Sequence, residues 1–236
     1  MNLDLDVLAV GAHPDDVEVH VGGLLARAAA RGLRTGILDL TSGDLGTRGD
    51  AATRQAEALE AARILGASRT ILDLPDARFE QGEASRLRVI AELRRLRPAI
   101  LIIPAPDDRH PDHRRAHRLL QEAAYCSGLK NYPCPEPPWR PAAIAWVGGE
   151  NPGAPDLVLD VSAEWDQRMA AFDAFGSQFQ ANPALPPTRI ANPAFRRGVE
   201  GRAMHWGSLI SVPWAEALWT SKPVPAALLA FLARLG

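Results

Sequence analysis

Hydrophobic and polar positions alternate in two rhythms through the first half of the chain. Asp6-Val7-Leu8-Ala9-Val10 is a short apolar run closed by Gly11 and predicts a buried parallel strand. From Val17 to about Arg31 the period becomes helical, with Leu24, Leu25 and Ala28 on one face and Gly32 as a stop. Thr35 to Leu40 predicts the second strand, residues 41–50 a glycine-rich loop, and the stretch up to Leu65 a long helix stopped by Gly66. Thr70 to Leu74 follows as a strand, Glu83 to Arg97 as a helix ended by Pro98, and Ile100 to Ile103 as the fourth strand. A helix from about His113 to Tyr125 completes this half.

Strand and helix at this spacing predict an α/β fold, a Rossmann-like doubly wound and mostly parallel sheet flanked by helices. Such sheets bind ligands beyond the carboxyl ends of their strands, where connections diverge to opposite faces. The second half is less regular. Residues 130–141 carry too many prolines for a helix or central strand and read as loop. Ala142 to Val147 and Leu157 to Val161 predict strands, and Ala163 to Phe175 a helix. Residues 180–197 are again proline-rich and read as a mobile flap or surface excursion. No linker divides the chain. We expect one domain over 1–236, with a core over 1–130 that carries the site and a part over 131–236 that shapes the pocket.

The composition, 47% hydrophobic and 23% charged over 236 residues, is that of a globular domain with a sizeable core. A net charge of −2 gives no support for a nucleic-acid partner or for charge-driven membrane binding. No apolar run approaches the roughly 20 residues that span a bilayer. The N-terminus is acidic where an export signal would be basic, so a cytoplasmic location is expected. Cys126 and Cys134 match no zinc or redox spacing.

Two short stretches carry the chemistry: Ala12-His13-Pro14-Asp15-Asp16 after the first strand, and His110-Pro111-Asp112-His113 after the fourth. A catalytic zinc takes three protein ligands and leaves a position for water. His13, Asp16 and His113 can supply two imidazoles and a carboxylate, a set that suits Zn2+, with Fe2+, Co2+ or Mn2+ as alternatives. Asp15 is then placed to accept the proton of an attacking water. His110, with Asp112 two residues on, reads as an imidazole oriented by a carboxylate, able to stabilise an oxyanion or protonate a leaving amine. The bland reading of each stretch is a turn whose aspartate caps the next helix. His20 and His117 have no such partners in sequence, although His117, four residues after His113 on the same predicted helix face, is a further ligand candidate; His205 lies in an apolar segment and reads as a packed or surface histidine. A dinucleotide-binding module is disfavoured, because Gly11 is followed by Ala-His-Pro and not by a Gly-x-Gly-x-x-Gly run.

These stretches, with Thr41-Ser42-Gly43-Asp44 through Gly49 and Arg54 with Glu57, resemble the LmbE-like, or PIG-L, family of zinc-dependent N-acetylglucosaminyl deacetylases. Asp108 through His113, Ser177-Gln178-Phe179 and Ser221-Lys222-Pro223-Val224 further resemble the bacillithiol-biosynthesis branch, which deacetylates N-acetylglucosaminyl malate. The resemblance implies zinc on His13, Asp16 and His113, a base at Asp15 and an oxyanion-stabilising His110. It implies substrate contacts from Arg54 and Asp76, and a homo-oligomer. Arg109 is expected to pair with a malate carboxylate. Mycothiol-type conjugates, chito-oligosaccharides and antibiotic glycosides are alternative substrates, and a non-catalytic metal-containing sugar-binding protein is the alternative class. Many relatives carry tyrosine where this chain has Trp214, and an indole cannot replace a phenol as acceptor.

Overall fold

The computed structural model describes residues 4–149, 153–221 and 223–236, so Lys222 lies outside the described residues. Its strands are β1 (Val7–Gly11), β2 (Thr35–Thr41), β3 (Ser68–Leu74), β4 (Ile100–Pro104), β5 (Ala143–Val147), β6 (Leu157–Asp160) and β7 (Ala215–Thr220). The helices are α1 (Asp16–Ala30), α2 (Ala51–Leu65), α3 (Glu83–Leu96), α4 (Pro111–Ser127), α5 (Trp165–Asp173), α6 (Gly176–Phe179), α7 (Pro193–Leu209) and α8 (Ala226–Ala233).

All seven strands form one sheet in the order β3-β2-β1-β4-β5-β7-β6. The pairs from β3 to β5 are parallel, and β7 is antiparallel to both β5 and β6. The chain winds from β1 outward to β3, then crosses to β4 and winds the other way. The switch point therefore lies between the carboxyl ends of β1 and β4, where the two histidine stretches begin.

Alternation along the strands builds a core on each face. Val7, Ala9, Ile100 and Ile102 pack with Leu24, Leu25 and Ala28 of α1 and Phe172 of α5. Leu8, Val10, Leu101 and Ile103 face the opposite way, against Ile90 and Leu93 of α3 and Leu119 and Leu120 of α4.

Three segments, α8 among them, differ from the sequence expectation. The proline-rich stretch gives way to α7 at Pro193, because Asn192 caps the helix through Ala194 N at 2.8 Å and Pro193 occupies its first turn. Proline starts a helix there, since its missing N–H would be unpaired in any case. The strand β7 has no counterpart in the sequence expectation. It is buried along its whole length, so it shows no alternation of exposed and covered positions.

Helix α1 is kinked at Val21, whose φ of −141° and ψ of 23° break the helical run. A buried pair from the C-terminal half accommodates the kink. Glu216 accepts from Gly23 N at 2.8 Å and Leu24 N at 2.7 Å, and Arg168 donates to Val19 O at 2.8 Å. Arg168 Nε also donates to Glu216 Oε1 at 2.8 Å.

Candidate active site

The turn between β1 and α1 is tight. A Cβ on Gly11 would stand 2.8 Å from His13 O and 3.1 Å from Asp16 Cβ, so only glycine closes the strand this way. Asp15 occupies the N-cap position of α1, without a side-chain cap bond, at φ of +115°, a left-handed conformation costing a non-glycine residue about 1–3 kcal/mol. Arg54 from α2 holds that conformation. Its guanidinium donates to Pro14 O at 2.6 Å, Gly43 O at 2.9 Å and Asp15 Oδ2 at 3.1 Å. Any side chain at Gly43 would collide with it.

His110, at the end of the loop after β4, caps α4, and its Nδ1 accepts from Asp112 N at 3.3 Å. The ring proton therefore sits on Nε2. His13, His110 and His113 each place a nitrogen within 4.8 Å of the other two. Asp16 lies between two of them, with Oδ1 3.2 Å from His113 Nε2 and Oδ2 3.6 Å from His13 Nδ1.

Outer carboxylates hold both rings. His13 Nε2 stands 3.3 Å from Asp76 and 3.3 Å from Asp112, and His113 Nδ1 stands 3.1 Å from Asp108. Each outer carboxylate can hold a ring proton on its own side, so that the opposite nitrogen, which faces Asp16, would be free to ligate once a cation displaced its proton, the usual carboxylate–histidine support of a metal site. Four-coordinate bonds of about 2.0–2.2 Å place ligand atoms about 3.3–3.6 Å apart. The separations around Asp16 match that spacing, and the mixed nitrogen and oxygen donors suit a divalent cation. The residues fit a metal.

Asp112 departs from its expected role. Its carboxylate meets His13, Ala77 N at 3.0 Å and Arg115 at 2.7 Å, while only its backbone N–H meets His110. The cap geometry of α4 turns that N–H toward His110 and the carboxylate away.

Charge at the site follows from burial and neighbours. Burial lifts the Asp15 carboxyl to about 7, against the pull of the Arg54 charge and with a push from Asp16. For His113, burial is outweighed by Asp16 and Asp108, and the ring rises to about 10. His13 likewise stands well above its ordinary range, burial being overcome by Asp112, Asp16 and Asp76. His110 moves the other way, lowered by burial and by the charges of His13 and His113, and so is neutral near pH 7.

A cavity of about 550 Å³ opens above this cluster. Arg54 and Asp76 line it, both buried, and Arg109 sits exposed on its wall. Glu57 and Glu60 do not hold Arg54, being taken by Ser177 and Arg63. His117 does not join the cluster; its Nδ1 is 2.8 Å from Pro104 O. Trp214 stacks on Trp165 at 4.1 Å and is absent from the cavity wall. Sequence reasoning missed Asp108, whose place two residues before His110 was its signal. It also missed His20, Arg189, Phe195 and Arg202, which line the cavity from α1, from α7 and from the segment leading into α7.

The sequence profile of GlcNAc-PI de-N-acetylase, PIG-L, matches residues 8–124. Diacetylchitobiose deacetylase of Thermococcus kodakarensis is 30% identical over 186 residues, 73% of this chain and 70% of its own length. The chain belongs to the PIG-L family. The conserved protein TT1542 from Thermus thermophilus superposes with a TM-score of 0.85 at 39% identity, covering 94% of this chain and 96% of the other. The similarity extends to 4-oxalmesaconate hydratase of Pseudomonas putida, 27% identical and covering 92% of this chain and 89% of that enzyme.

Proposed function

We propose that this PIG-L protein is a zinc-dependent hydrolase that removes the N-acetyl group from an N-acetylglucosamine conjugate, with N-acetylglucosaminyl malate as its specific substrate. The observation that carries the reading is the convergence of His13, His113 and Asp16, with Asp15 and His110 beside them, at the floor of one cavity. His13, Asp16 and His113 would hold the cation, which would acidify water and polarise the acetyl carbonyl. Asp15 accepts the proton of the attacking water, its carboxyl tuned by burial to about 7. The Nε2–H of neutral His110 faces the developing oxyanion. Asp112 and Asp108 fix the ligand rings, and Asp76 shares the hold on His13 while its second oxygen takes Leu45 N at 2.9 Å. Arg54 positions Asp15 and lines the wall beside the sugar.

The malate assignment rests on Arg109, Arg189 and Arg202, which line the cavity and make no salt bridge among the described residues. Guanidinium forks pair well with carboxylates, so these three supply counter-charge for a dicarboxylic aglycone. The test is acetate release from N-acetylglucosaminyl malate, with and without a chelator. Activity that the chelator abolishes, and Asp15→Asn protein that keeps metal but releases no acetate, are expected. Full activity in metal-free protein would overturn the reading. Turnover of 4-oxalmesaconate with no acetate from any glucosamine conjugate would assign the hydratase chemistry of the Pseudomonas putida relative instead.

A further inference from the structure

Two smaller cavities share lining residues with the main one, and the rest of their walls takes no part in the chemistry above. The first is a cleft of about 10 Å³ at the switch point, bounded by Asp16, Asp108, His113 and His20 and otherwise by apolar side chains of β1, α1, β4 and β5, among them Val17, Val21 and Ile102. Space of that measure holds about one water-sized sphere, and a methyl group is little larger. The second cavity, of about 50 Å³, adjoins it between β5, β7 and α7, with Trp206 and Trp219 in its wall beside Arg168, Arg202 and Glu216. His20 and Val147 border both cavities and form the partition between them. The His20 ring lies against Gly148, and its nitrogens make no hydrogen bond among the described residues. Burial, helped by the charge of Arg202, drops this imidazole to about 3, so it stands as a neutral wall at any working pH.

We propose that the small cleft seats the methyl of the scissile acetyl group, and that His20 and Val147 restrict the protein to acetyl amides by closing off the larger adjoining cavity. This rests on the amide-hydrolase reading and adds what sets acyl length. The cleft is apolar away from Asp16 and His113, the donors that would hold the metal, so it is an apolar recess next to where the alkyl end of an amide held there would lie. An extra methylene that a hydrophobic pocket cannot seat costs about 10–200-fold in kcat/KM. Shortening either partition residue joins the cleft to the 50 Å³ space, enough for an ethyl or propyl group.

The experiment measures kcat/KM for the N-acetyl, N-propionyl and N-butyryl forms of one glucosamine conjugate with the zinc-loaded protein and its His20→Ala and Val147→Ala variants. Folding is checked by circular dichroism and metal content by emission spectroscopy. Binding of acetate, propionate and butyrate, followed by thermal shift, gives a readout independent of turnover. The parent protein is expected to favour acetyl over propionyl by about 10-fold or more. Either variant is expected to narrow that ratio by about 10-fold and to gain affinity for butyrate. A parent protein that hydrolyses all three amides equally would overturn the proposal and leave the hydrolase reading intact. Folded, metal-loaded variants with unchanged acyl ratios and unchanged carboxylate binding would overturn it equally. Failure on all three amides by metal-loaded protein would remove both the proposal and the reading beneath it.

Discussion

The pair Arg168 and Glu216 offers the sharpest test of how the C-terminal half supports the site. Both side chains are 3% exposed, and Glu216 receives three donors: Arg168 Nε, Gly23 N and Leu24 N. Arg168→Met keeps most of the volume and removes the charge, leaving a buried carboxylate on two backbone N–H groups. Breaking one side of a buried pair costs about 3–5 kcal/mol, a large share of the about 5–15 kcal/mol that keeps a domain folded. With a urea m-value near about 3 kcal/mol/M, the unfolding midpoint falls by about 1–2 M. Replacing the pair with apolar groups is not neutral here, as it is for many buried ion pairs, because Gly23 N and Leu24 N would each lose an acceptor at about 1–3 kcal/mol. Arg168→Met/Glu216→Gln retains one amide oxygen for those N–H groups and no stranded charge, so it should lose less than the two single changes added together.

The pH dependence has a defined sign. Burial raises the Glu216 carboxyl above its ordinary value, and Arg168 with the two N–H groups holds it partly down. Without Arg168 it rises further. A raised acid contributes stability that is present below its unfolded value, about 4.3, and is lost as pH climbs through the folded value. The deficit of Arg168→Met relative to the parent should therefore widen from pH 4 to pH 7. Urea titrations at both pH values measure it. A loss under about 1 kcal/mol at pH 7, or single changes that add to the double within about 0.5 kcal/mol, would refute the argument.

Asp108→Asn should weaken metal binding by about 10–100-fold in chelator competition, because His113 loses the carboxylate that fixes its ring proton; unchanged affinity would show that Asp108 does not orient the ring. Arg48 ties the segment before α7 to the loop after β2, through Gln180 O at 2.9 Å and Pro186 O at 2.6 Å. Arg48→Ala should raise KM several-fold and speed proteolysis within 180–187, and a parent-like cleavage rate would contradict this. Trp214→Tyr should leave kcat within about 2-fold, since the indole stacks on Trp165 outside the cavity; a larger change in steady-state rate would place this residue in the chemistry.

The clustering of His13, Asp16 and His113 was legible because each lies within a few residues of a strand end, where an α/β sheet places its site. His13 and Asp16 share one turn, so their proximity needed no tertiary knowledge. The position of Asp112 departs from expectation for a reason that local spacing cannot reveal. Two residues from His110 puts a carboxylate near that ring in an extended chain, but at the start of α4 the backbone N–H takes the place and the carboxylate swings to Ala77 and His13. Asp76 reaches His13 across 63 residues of chain, a contact only the register of β3 beside β2 creates. The segment over 180–197 reads as an excursion because its prolines dominate the pattern, although Asn192-Pro193 is also the signature of a helix start.

Asp15, Asp16 and His20 all lie on or at the start of the first turns of α1, before the kink at Val21. Three groups hold that short piece: Arg54 on its first turn, and Arg168 and Glu216 at the kink. Two of the three come from beyond residue 160, so the second half does more than wall the cavity. It holds the turns of α1 that carry Asp15, Asp16 and His20, the proposed base, ligand and partition. A rotation of those turns would move all three as a unit, and chemistry and acyl selection would then change in concert even when the altered residue, such as Arg168, touches neither.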